Sequence, residues 1–226
     1  KIEETHDYIG FAIETGRNPE RVEMEVGKHG LPFPDIIISC VGTEIYYGRN
    51  MVPDRSWRNH IDFKWEPDRI YEVFDHFPGL KRQKQSVQRQ FKISYIVGSD
   101  EPPRYEDINR KIRAAGLKAR AILSLNKFLD IVPIRVSPGM ALRYWALKWS
   151  IPFDRILAAG DSGNDYGMLK GQTLGVVVGN YSPELEILKG KDRIYFAEKC
   201  NAWGVLEGIE HYDFFGKIRV PEGEES

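Results

Sequence analysis

The sequence contains few cysteines, no long apolar runs and no excess of charge of either sign. Its two cysteines, Cys40 and Cys200, are far apart and lack metal-ligand spacing, which argues against a disulfide scaffold or a zinc site. The 32 lysines and arginines are balanced by 33 acidic residues and are spread along the chain, which argues against nucleic acid as a partner. The apolar runs are only strand-sized, so no membrane span is expected. The cysteine usage and the lack of a signal-peptide pattern predict a cytoplasmic protein.

Apolar strand-like runs alternate with helix-like segments at both ends of the chain. The run at residues 35–41 is typical of a strand that is covered on both faces in a parallel sheet. Before it, Asn18 and Pro19 predict the start of a helix, with Asn18 as the N-cap and Pro19 at the first helical position. Another apolar run, at residues 8–13, precedes this helix. Strand, helix and strand at this spacing predict a βαβ unit and an α/β fold.

The middle of the chain is richer in aromatic and charged residues and has a different pattern. It predicts helices at 67–76 and 105–115 and strands at 90–97, 118–124 and 128–132. We interpret this segment as an antiparallel sheet carrying two helices, inserted as a second domain. The first pattern then returns, with helices predicted at 140–149, 164–169, 182–188 and 202–211 and strands at 155–159 and 173–178. The predicted organisation is a core of residues 1–46 and 134–226 and an inserted α+β domain of residues 47–133.

The most informative motif is an acidic loop at residues 160–165, with the sequence Gly160-Asp161-Ser162-Gly163-Asn164-Asp165. It follows an apolar strand and precedes a helix, which places it at the carboxyl edge of a parallel sheet, where ligands bind in open α/β folds. Asp161 and Asp165 offer the oxygen ligands that Mg²⁺ prefers beside a phosphate. The alternative is a solvated turn that caps the next helix. Six such residues in this order after a buried strand favour the ligand site.

Two further polar segments follow predicted strands. One is Thr15-Gly16-Arg17 and the other is Gly42-Thr43-Glu44-Ile45-Tyr46. Either segment alone could simply end a strand and turn the chain. Because the carboxyl ends of parallel strands meet at one edge of a sheet, three polar strand ends together predict a single phosphate-binding site there.

These motifs, with three more, make the chain resemble the sucrose-phosphate phosphatase family of the haloacid-dehalogenase superfamily. The additional motifs are Lys92-Ile93-Ser94-Tyr95, Lys127 with Asp130, and Gly179-Asn180 with Pro183-Glu184-Leu185. The resemblance covers nearly the whole chain and is strongest to the phosphatase-like C-terminal domain of a sucrose-phosphate synthase. It implies a Rossmann-like core with an inserted cap domain, which agrees with the organisation predicted above.

The resemblance also implies roles for individual residues. Thr15 would hydrogen-bond the phosphoryl group, Asp161 would ligate Mg²⁺, and Asp165 would support the metal site. The candidates for binding the substrate, sucrose 6-phosphate or sucrose, are Thr43, Glu44, Lys92, Ser94, Lys127, Asp130 and Asn180. For the cap residues, the alternative is an ordinary solvated sheet face. The implied partners are a glycosyltransferase domain or a separate sucrose-phosphate phosphatase.

Two departures from the family pattern bear on catalysis. The family's Asp-x-Asp nucleophile motif is absent, and its place would lie upstream of Tyr8, so we expect this strand either to be lost or to lie outside the sequence. In addition, Pro138 stands where the family has a lysine, and Arg135, three residues earlier, is poorly placed to replace it. We therefore predict a catalytically degenerate, ligand-binding domain with a weakened Mg²⁺ site. The alternatives are an active Mg²⁺-dependent phosphohydrolase whose Asp-x-Asp strand lies upstream, and a domain that shares only the fold.

Overall fold

The computed structural model describes residues 9–98 and 102–218. The described residues form two compact units, Ala12–Tyr144 and the remainder of the chain. The division of the chain into a core and an inserted cap at residues 46/47 and 133/134 stays a prediction. Within the described residues, no helix is both long and apolar enough to cross a membrane.

The unit Ala12–Tyr144 begins with a small mixed sheet and the first predicted helix. Its strands are β1 (Ala12–Glu14), β2 (Ile36–Ser39), β3 (Glu44–Tyr47) and β4 (Val52–Pro53), in that order, and helix α1 (Pro19–Lys28) joins the parallel pair β1 and β2. The Asn18 side chain accepts a hydrogen bond from the Arg21 amide, so the predicted N-cap is confirmed. Helix α1 buries Val22 and Val26 against Ile37 of β2. Part of the predicted first strand, at residue 8, lies outside the described residues.

Strand β3 is an element that the sequence pattern did not predict. It runs antiparallel to β2, with Glu44 paired to Ser39. The chain reverses between them through three residues with left-handed φ angles, Cys40 (54°), Val41 (55°) and Gly42 (92°). Because a left-handed β-branched residue is rare, this reversal has no sequence signature beyond the glycine.

The second sheet of this unit is antiparallel and carries its helices on one face. Helix α2 (Arg55–Ile61) comes before it, and the sheet contains β5 (Leu80–Arg82), β6 (Ile93–Val97), β7 (Ala119–Ser124) and β8 (Phe128–Pro133) in the order β5-β6-β8-β7. Helices α3 (Pro67–Phe74) and α4 (Tyr105–Ala114) pack on one face around Phe74, Tyr95 and Ile131. The prediction of an antiparallel sheet with two helices is confirmed. We call the face opposite these two helices the open face; the name refers only to the position of α3 and α4, because several of its side chains are buried.

Helix α5 (Pro138–Lys148) leads into a second unit with a parallel sheet. Its strands are β9 (Leu157–Gly160), β10 (Leu174–Val177) and β11 (Ile194–Phe196), in the order β11-β10-β9. The remaining helices are α6 (Tyr166–Leu169), α7 (Asn201–His211) and α8 (Phe214–Ile218). Leu169, Val177 and Leu185 form a small core.

The segment predicted as a helix at 182–188 differs from expectation in two respects. It is a 3₁₀ helix, Pro183–Leu188, and Ser182 makes no side-chain cap to its backbone. The Ser182 hydroxyl instead donates to Glu184 Oε2 at 3.0 Å, and the same oxygen accepts the Gly163 amide at 3.1 Å. Glu184 thus competes for the hydroxyl that would otherwise cap the helix, and it links the segment to the acidic loop.

Candidate functional site

Two of the three predicted polar strand ends lie side by side. The Thr15 amide donates to the Ile38 carbonyl at 2.9 Å, and the Cys40 amide donates to the Arg17 carbonyl at 2.9 Å. The Thr15 hydroxyl accepts the Arg17 amide at 3.2 Å, which orients it within the turn after β1. The third strand end, the acidic loop, belongs to the other compact unit. Its convergence with the first two therefore stays a prediction.

The left-handed turn after β2 is held tightly in place. A Cβ atom on Gly42 would lie 2.7 Å from the Ser137 carbonyl oxygen, so only glycine fits there. The Gly42 carbonyl accepts the indole N–H of Trp57 at 3.0 Å. The hydroxyl of Thr43, a predicted substrate residue, is buried and donates to the Cys40 carbonyl at 3.1 Å. Thr43 thus stabilises the turn in this structure.

Three predicted sugar-binding residues, Lys92, Ser94 and Asp130, come together on the open face. The Ser94 hydroxyl donates to Asp130 Oδ1 at 2.5 Å, and the Lys92 ammonium lies 2.9 Å from Ser94 Oγ and 3.5 Å from Asp130 Oδ1. Their exposed fractions are only 5%, 0% and 7%. Because burying an ion pair costs desolvation energy that its attraction barely repays, stability alone is a weak reason for this cluster.

Glu44, another predicted substrate residue, is held by Arg89, which the sequence analysis missed. The Arg89 guanidinium donates to both Glu44 carboxylate oxygens, at 2.9 and 3.0 Å, and also to Glu20 of α1 at 3.3 Å. The hydrogen bonds that Arg89 donates to Glu44 raise the pKa of the guanidinium, against an opposing effect of burial. A tight turn with two backbone hydrogen bonds between Arg89 and Lys92 positions the guanidinium. The only sequence signal was its position three residues before the predicted Lys92.

The thiol of Cys40 lies within the electrostatic range of these charges. Burial, and then the Glu44 carboxylate, raise the pKa of Cys40 to about 12, while the Lys92 ammonium and the Arg89 guanidinium act in the opposite direction. Cys40 therefore stays a neutral thiol at physiological pH and is a poor nucleophile. Because Glu44, Lys92 and Arg89 all affect the pKa of Cys40, the β3 hairpin and the start of β6 lie close together.

Two further predicted substrate residues, Lys127 and Asn180, have other contacts. Lys127 is exposed in the turn between β7 and β8, with its ammonium 5.6 Å from the centre of the Phe128 ring. Asn180 belongs to the other unit, where its side-chain oxygen accepts the Asn201 amide at 2.6 Å at the start of α7. The described contacts give both residues local structural roles.

The acidic loop is organised around the buried Asp165. Its Oδ2 atom accepts the Asp161 and Ser162 amides at 2.9 and 3.0 Å, and its Oδ1 atom accepts the Asn164 side chain at 3.0 Å. Burial raises the pKa of Asp165, and the two amide hydrogen bonds oppose this shift. A Cβ atom on Gly160 would lie 2.5 Å from Asp165 Cβ, which explains the glycine at that position. Asp165 thus fixes the conformation of the loop.

The loop offers few metal ligands of its own. Across residues 9–98 and 102–218, no group of three His, Cys, Asp or Glu side chains could together hold a metal ion. The Asp161 carboxylate is exposed, whereas Asp165 is buried and engaged in the loop. A Mg²⁺ ion commonly uses one or two carboxylates and completes its octahedron with water and phosphate oxygens. The residues present are compatible with that pattern, in which Asp161 would be the direct ligand.

Pro138 begins helix α5 and brings no charge to it. The Ser137 hydroxyl accepts the Met140 amide at 3.1 Å as an N-cap, and Pro138 is buried at the first helical position. Arg135 is committed elsewhere, because its guanidinium stacks 4.0 Å from the centre of the Phe63 ring and donates to the His60 carbonyl at 3.2 Å. Neither residue supplies a cation at the start of the helix.

Comparison with known proteins identifies the family. A family model described as Sucrose-6F-phosphate phosphohydrolase matches residues 1–213. The chain belongs to this family. It is 32% identical over 218 residues to probable sucrose-phosphatase 2 of Arabidopsis thaliana, covering 92% of this chain and 51% of that protein. It is 30% identical over 213 residues to glucosylglycerol-phosphate synthase of Pseudomonas anguilliseptica, covering 94% of this chain and 28% of that protein.

A solved structure of the family has the same fold. The sucrose-phosphatase of Synechocystis sp. PCC6803, in complex with sucrose and phosphate, matches with a TM-score of 0.86 at 29% identity, covering 94% of this chain and 88% of that chain. A haloacid-dehalogenase sugar phosphatase with only 14% identity matches with a TM-score of 0.67, which shows the fold alone. The predicted haloacid-dehalogenase-like α/β fold is therefore confirmed. The chain spans about half the length of the first curated relatives it matches.

Proposed function

We propose that this member of the sucrose-phosphate phosphatase family binds sucrose 6-phosphate, or a related sugar phosphate, and turns it over weakly. The observation that carries the proposal is the cluster of Lys92, Ser94 and Asp130 on the open face. An ammonium, a hydroxyl and a carboxylate offer both donors and acceptors, which suits the hydroxyl groups of a sugar. The burial of these groups, which stability explains poorly, supports a role in binding.

The remaining predicted residues have supporting roles in this proposal. Thr15 donates to the phosphoryl group from the turn after β1, and Asp161 provides a direct ligand for Mg²⁺ in a weakened site. A bound Mg²⁺ would neutralise phosphate charge. Glu44, oriented by Arg89, accepts hydrogen bonds from the ligand, while Thr43 and Asp165 hold the loops on which ligand contacts lie. Lys127 and Asn180 would contact the sugar only if they leave their described local contacts.

The low turnover follows from the start of helix α5. By resemblance to the family, a lysine is expected at position 138 to neutralise charge between the nucleophile and the phosphate. Pro138 cannot do so, and Arg135 is held by Phe63 and His60. Loss of one such electrostatic group reduces a rate by about 10²–10³-fold.

The proposed context is sucrose biosynthesis, as part of a sucrose-phosphate synthase. The match to a glucosylglycerol-phosphate synthase supports this, because it covers only 28% of that longer protein and shows that a similar domain occurs within a synthase. A glycosyltransferase domain, or a separate sucrose-phosphate phosphatase, would be the partner. In that setting, the domain would bind a phosphorylated product or regulate its release.

The second candidate is an active Mg²⁺-dependent sucrose-6-phosphate phosphohydrolase. It is favoured by the complete acidic loop, with Asp165 fully hydrogen-bonded, and by relatives that are named sucrose-phosphatases. This candidate requires a nucleophilic Asp-x-Asp segment in the complete protein. It also requires that Pro138 be compatible with efficient turnover.

Two measurements on the complete natural protein separate these functions. Calorimetric titration with sucrose 6-phosphate and sucrose should give saturable binding in both cases. Phosphate release from sucrose 6-phosphate with Mg²⁺ should be at least about 10²-fold slower than that of a family member with the lysine. Turnover equal to that family member would refute the degenerate function and establish the second candidate. Absence of saturable binding would refute both.

A further inference from the structure

A cavity of about 450 Å³ lies beside helices α2 and α5. Its volume falls within the range of small-molecule sites, about 300–1,000 Å³. All of its lining residues belong to the unit Ala12–Tyr144, and none of them is among the predicted substrate or metal residues. Besides two apolar residues, the lining consists of three rings and two guanidinium groups, those of Trp57, His60, Tyr144, Arg135 and Arg143. The cavity is therefore a candidate for a separate binding site.

The three rings are held in a fixed arrangement. Trp57 is only 1% exposed, and its indole N–H donates to the Gly42 carbonyl at 3.0 Å. The Tyr144 hydroxyl donates to Asp54 Oδ1 at 3.2 Å, and the ring centre of Tyr144 lies 4.8 Å from that of Trp57. The His60 ring stacks beside this pair, with its centre 5.6 Å from that of Trp57 and 6.3 Å from that of Tyr144. Because His60 is exposed and Tyr144 is half-buried, both rings can contact a ligand in the cavity.

The two guanidinium groups give the cavity a positive charge. Arg135 is held by the Phe63 ring, whose centre lies 4.0 Å away, and by one hydrogen bond to the His60 carbonyl at 3.2 Å. This bond uses one of the five N–H donors of the guanidinium. Arg143 is exposed, and its guanidinium has no hydrogen-bond or ion-pair partner within the described residues. Among those residues, no Asp or Glu lines the cavity, so an anionic group would meet two cations and no like charge.

We propose that this cavity binds a nucleotide, whose base stacks on the His60 and Tyr144 rings and whose phosphate accepts hydrogen bonds from Arg135 and Arg143. Aromatic side chains stack on any base because every base has a π-face, and guanidinium groups bind phosphate oxygens in a bidentate manner. Inorganic phosphate would use only the arginines, and a sugar phosphate has no planar ring for the stack. A nucleotide uses both kinds of lining residue. The proposal goes beyond the proposed function and does not depend on it, because the two sites share no residue.

A purely structural role for these side chains leads to different expectations. The rings would pack α2 against α5, and Arg143 would be an ordinary solvated arginine whose stem covers apolar surface. Substitution of His60 or Arg143 would then leave every ligand affinity unchanged. A simple anion site differs again, because it would bind inorganic phosphate as tightly as a nucleotide.

The test is calorimetric titration of the complete natural protein with UMP, AMP, ribose 5-phosphate and inorganic phosphate. One variant, His60→Ala, removes a stacking surface, and the other, Arg143→Glu, reverses one charge of the cavity. Arg113→Glu makes the same charge reversal at an exposed position in the last turn of α4, away from the cavity lining, and is the matched control. Circular dichroism establishes that each variant is folded.

The wild type should bind UMP and AMP at least about 10-fold more tightly than ribose 5-phosphate, which lacks a base. His60→Ala should weaken binding of both nucleotides about 10-fold and leave the binding of ribose 5-phosphate and inorganic phosphate unchanged. Arg143→Glu should weaken binding of all four ligands about 10–100-fold, because each of them carries the phosphate. Arg113→Glu should bind all four ligands as the wild type does.

Several results would overturn the proposal. A wild type that binds neither nucleotide would do so, as would one that binds ribose 5-phosphate or inorganic phosphate as tightly as UMP. Nucleotide affinity that is unchanged in both folded variants would assign the binding to another site. A loss in Arg143→Glu alone would show an anion site without stacking, and an equal loss in Arg113→Glu would show a non-specific effect of charge. If one variant does not fold, the affinities of the other decide between the proposal and its rejection.

Discussion

Replacement of Lys92 by methionine tests whether Lys92 and Asp130 form a buried ion pair on the open face. Methionine keeps most of the side-chain volume and removes the ammonium that lies 3.5 Å from Asp130 Oδ1. The side chains of the pair are only 6% and 10% exposed, so water cannot readily replace the missing partner. We expect the Lys92→Met variant to lose stability because Asp130 is left as a buried, unpaired charge.

The magnitude follows from the contacts that remain. Removal of one partner from a buried ion pair costs about 3–5 kcal/mol. Here the 3.5 Å separation is long, and the Ser94 hydroxyl still donates to Asp130 Oδ1 at 2.5 Å. The expected loss is therefore at or below the lower limit of this range, about 2–3 kcal/mol. The double variant Lys92→Met/Asp130→Asn removes both charges and should lie within about 1 kcal/mol of the wild type.

Urea denaturation followed by circular dichroism measures these differences in a double-mutant cycle. The wild type, the two single variants and the double variant are compared, with the m-values checked for equality so that the free energies of unfolding can be subtracted. The cluster as described requires a favourable coupling energy between the two charges. A loss of less than about 1 kcal/mol in Lys92→Met, or a double variant whose loss equals the sum of the single losses, would refute it.

Three other substitutions test the turn, the loop and the helix start. Gly42→Ala forces alanine to a φ of 92° and brings its Cβ to 2.7 Å from the Ser137 carbonyl oxygen. Thermal denaturation should therefore show that the free energy of unfolding falls by about 2–4 kcal/mol. Gly48→Ala, with a φ of 58° and open space around its Cβ, is the matched control and should lose about 1–2 kcal/mol. Burial raises the pKa of Asp165, so the folded state binds the carboxyl proton of Asp165 more tightly than the unfolded state does. The contribution of Asp165 to stability should therefore grow as the pH falls from above the folded pKa toward the ordinary aspartate pKa. When the free energy of unfolding is measured over a pH series, the Asp165→Asn variant should lack this pH-dependent gain in stability. The same pH dependence in the variant and the wild type would contradict the raised pKa. Pro138→Lys should bind sucrose 6-phosphate about 10-fold more tightly by calorimetry, with sucrose binding unchanged, and equal gains for both ligands would argue against a charge effect on the phosphate.

The elements with local signals could be predicted from the sequence. Asn18 and Pro19 determine the start of α1 through a side-chain cap and a preset φ angle, both of which depend only on neighbouring residues. The alternation of Lys92-Ile93-Ser94-Tyr95 likewise places alternate side chains on opposite faces of a strand. The meeting of Lys92, Ser94 and Asp130 followed from the family resemblance, since strand pairing across 36 residues leaves no local trace.

The features that were missed depend on contacts distant in sequence. The reversal into β3 uses a left-handed Val41, a conformation that is imposed by the surrounding structure and not by the residue itself. Arg89 lies 45 residues from Glu44, and its role became visible only when the two side chains were seen to pair. The hydrogen bond from the Asn201 amide to Asn180 at the start of α7 could not be predicted for the same reason, because 21 residues separate the two asparagines.

The guanidinium of Arg89 links the amino-acid substitutions that can be tolerated at Glu44 and Glu20. The guanidinium bridges Glu44 on the β3 hairpin and Glu20 on helix α1, so a change at one carboxylate alters the electrostatic environment of the other through a shared cation. In relatives, a neutral residue in place of Glu44 should therefore be accompanied by loss of the arginine, while Glu20 can vary more freely because it is more exposed. The pattern of correlated substitution among these three positions would record which contact natural selection has preserved.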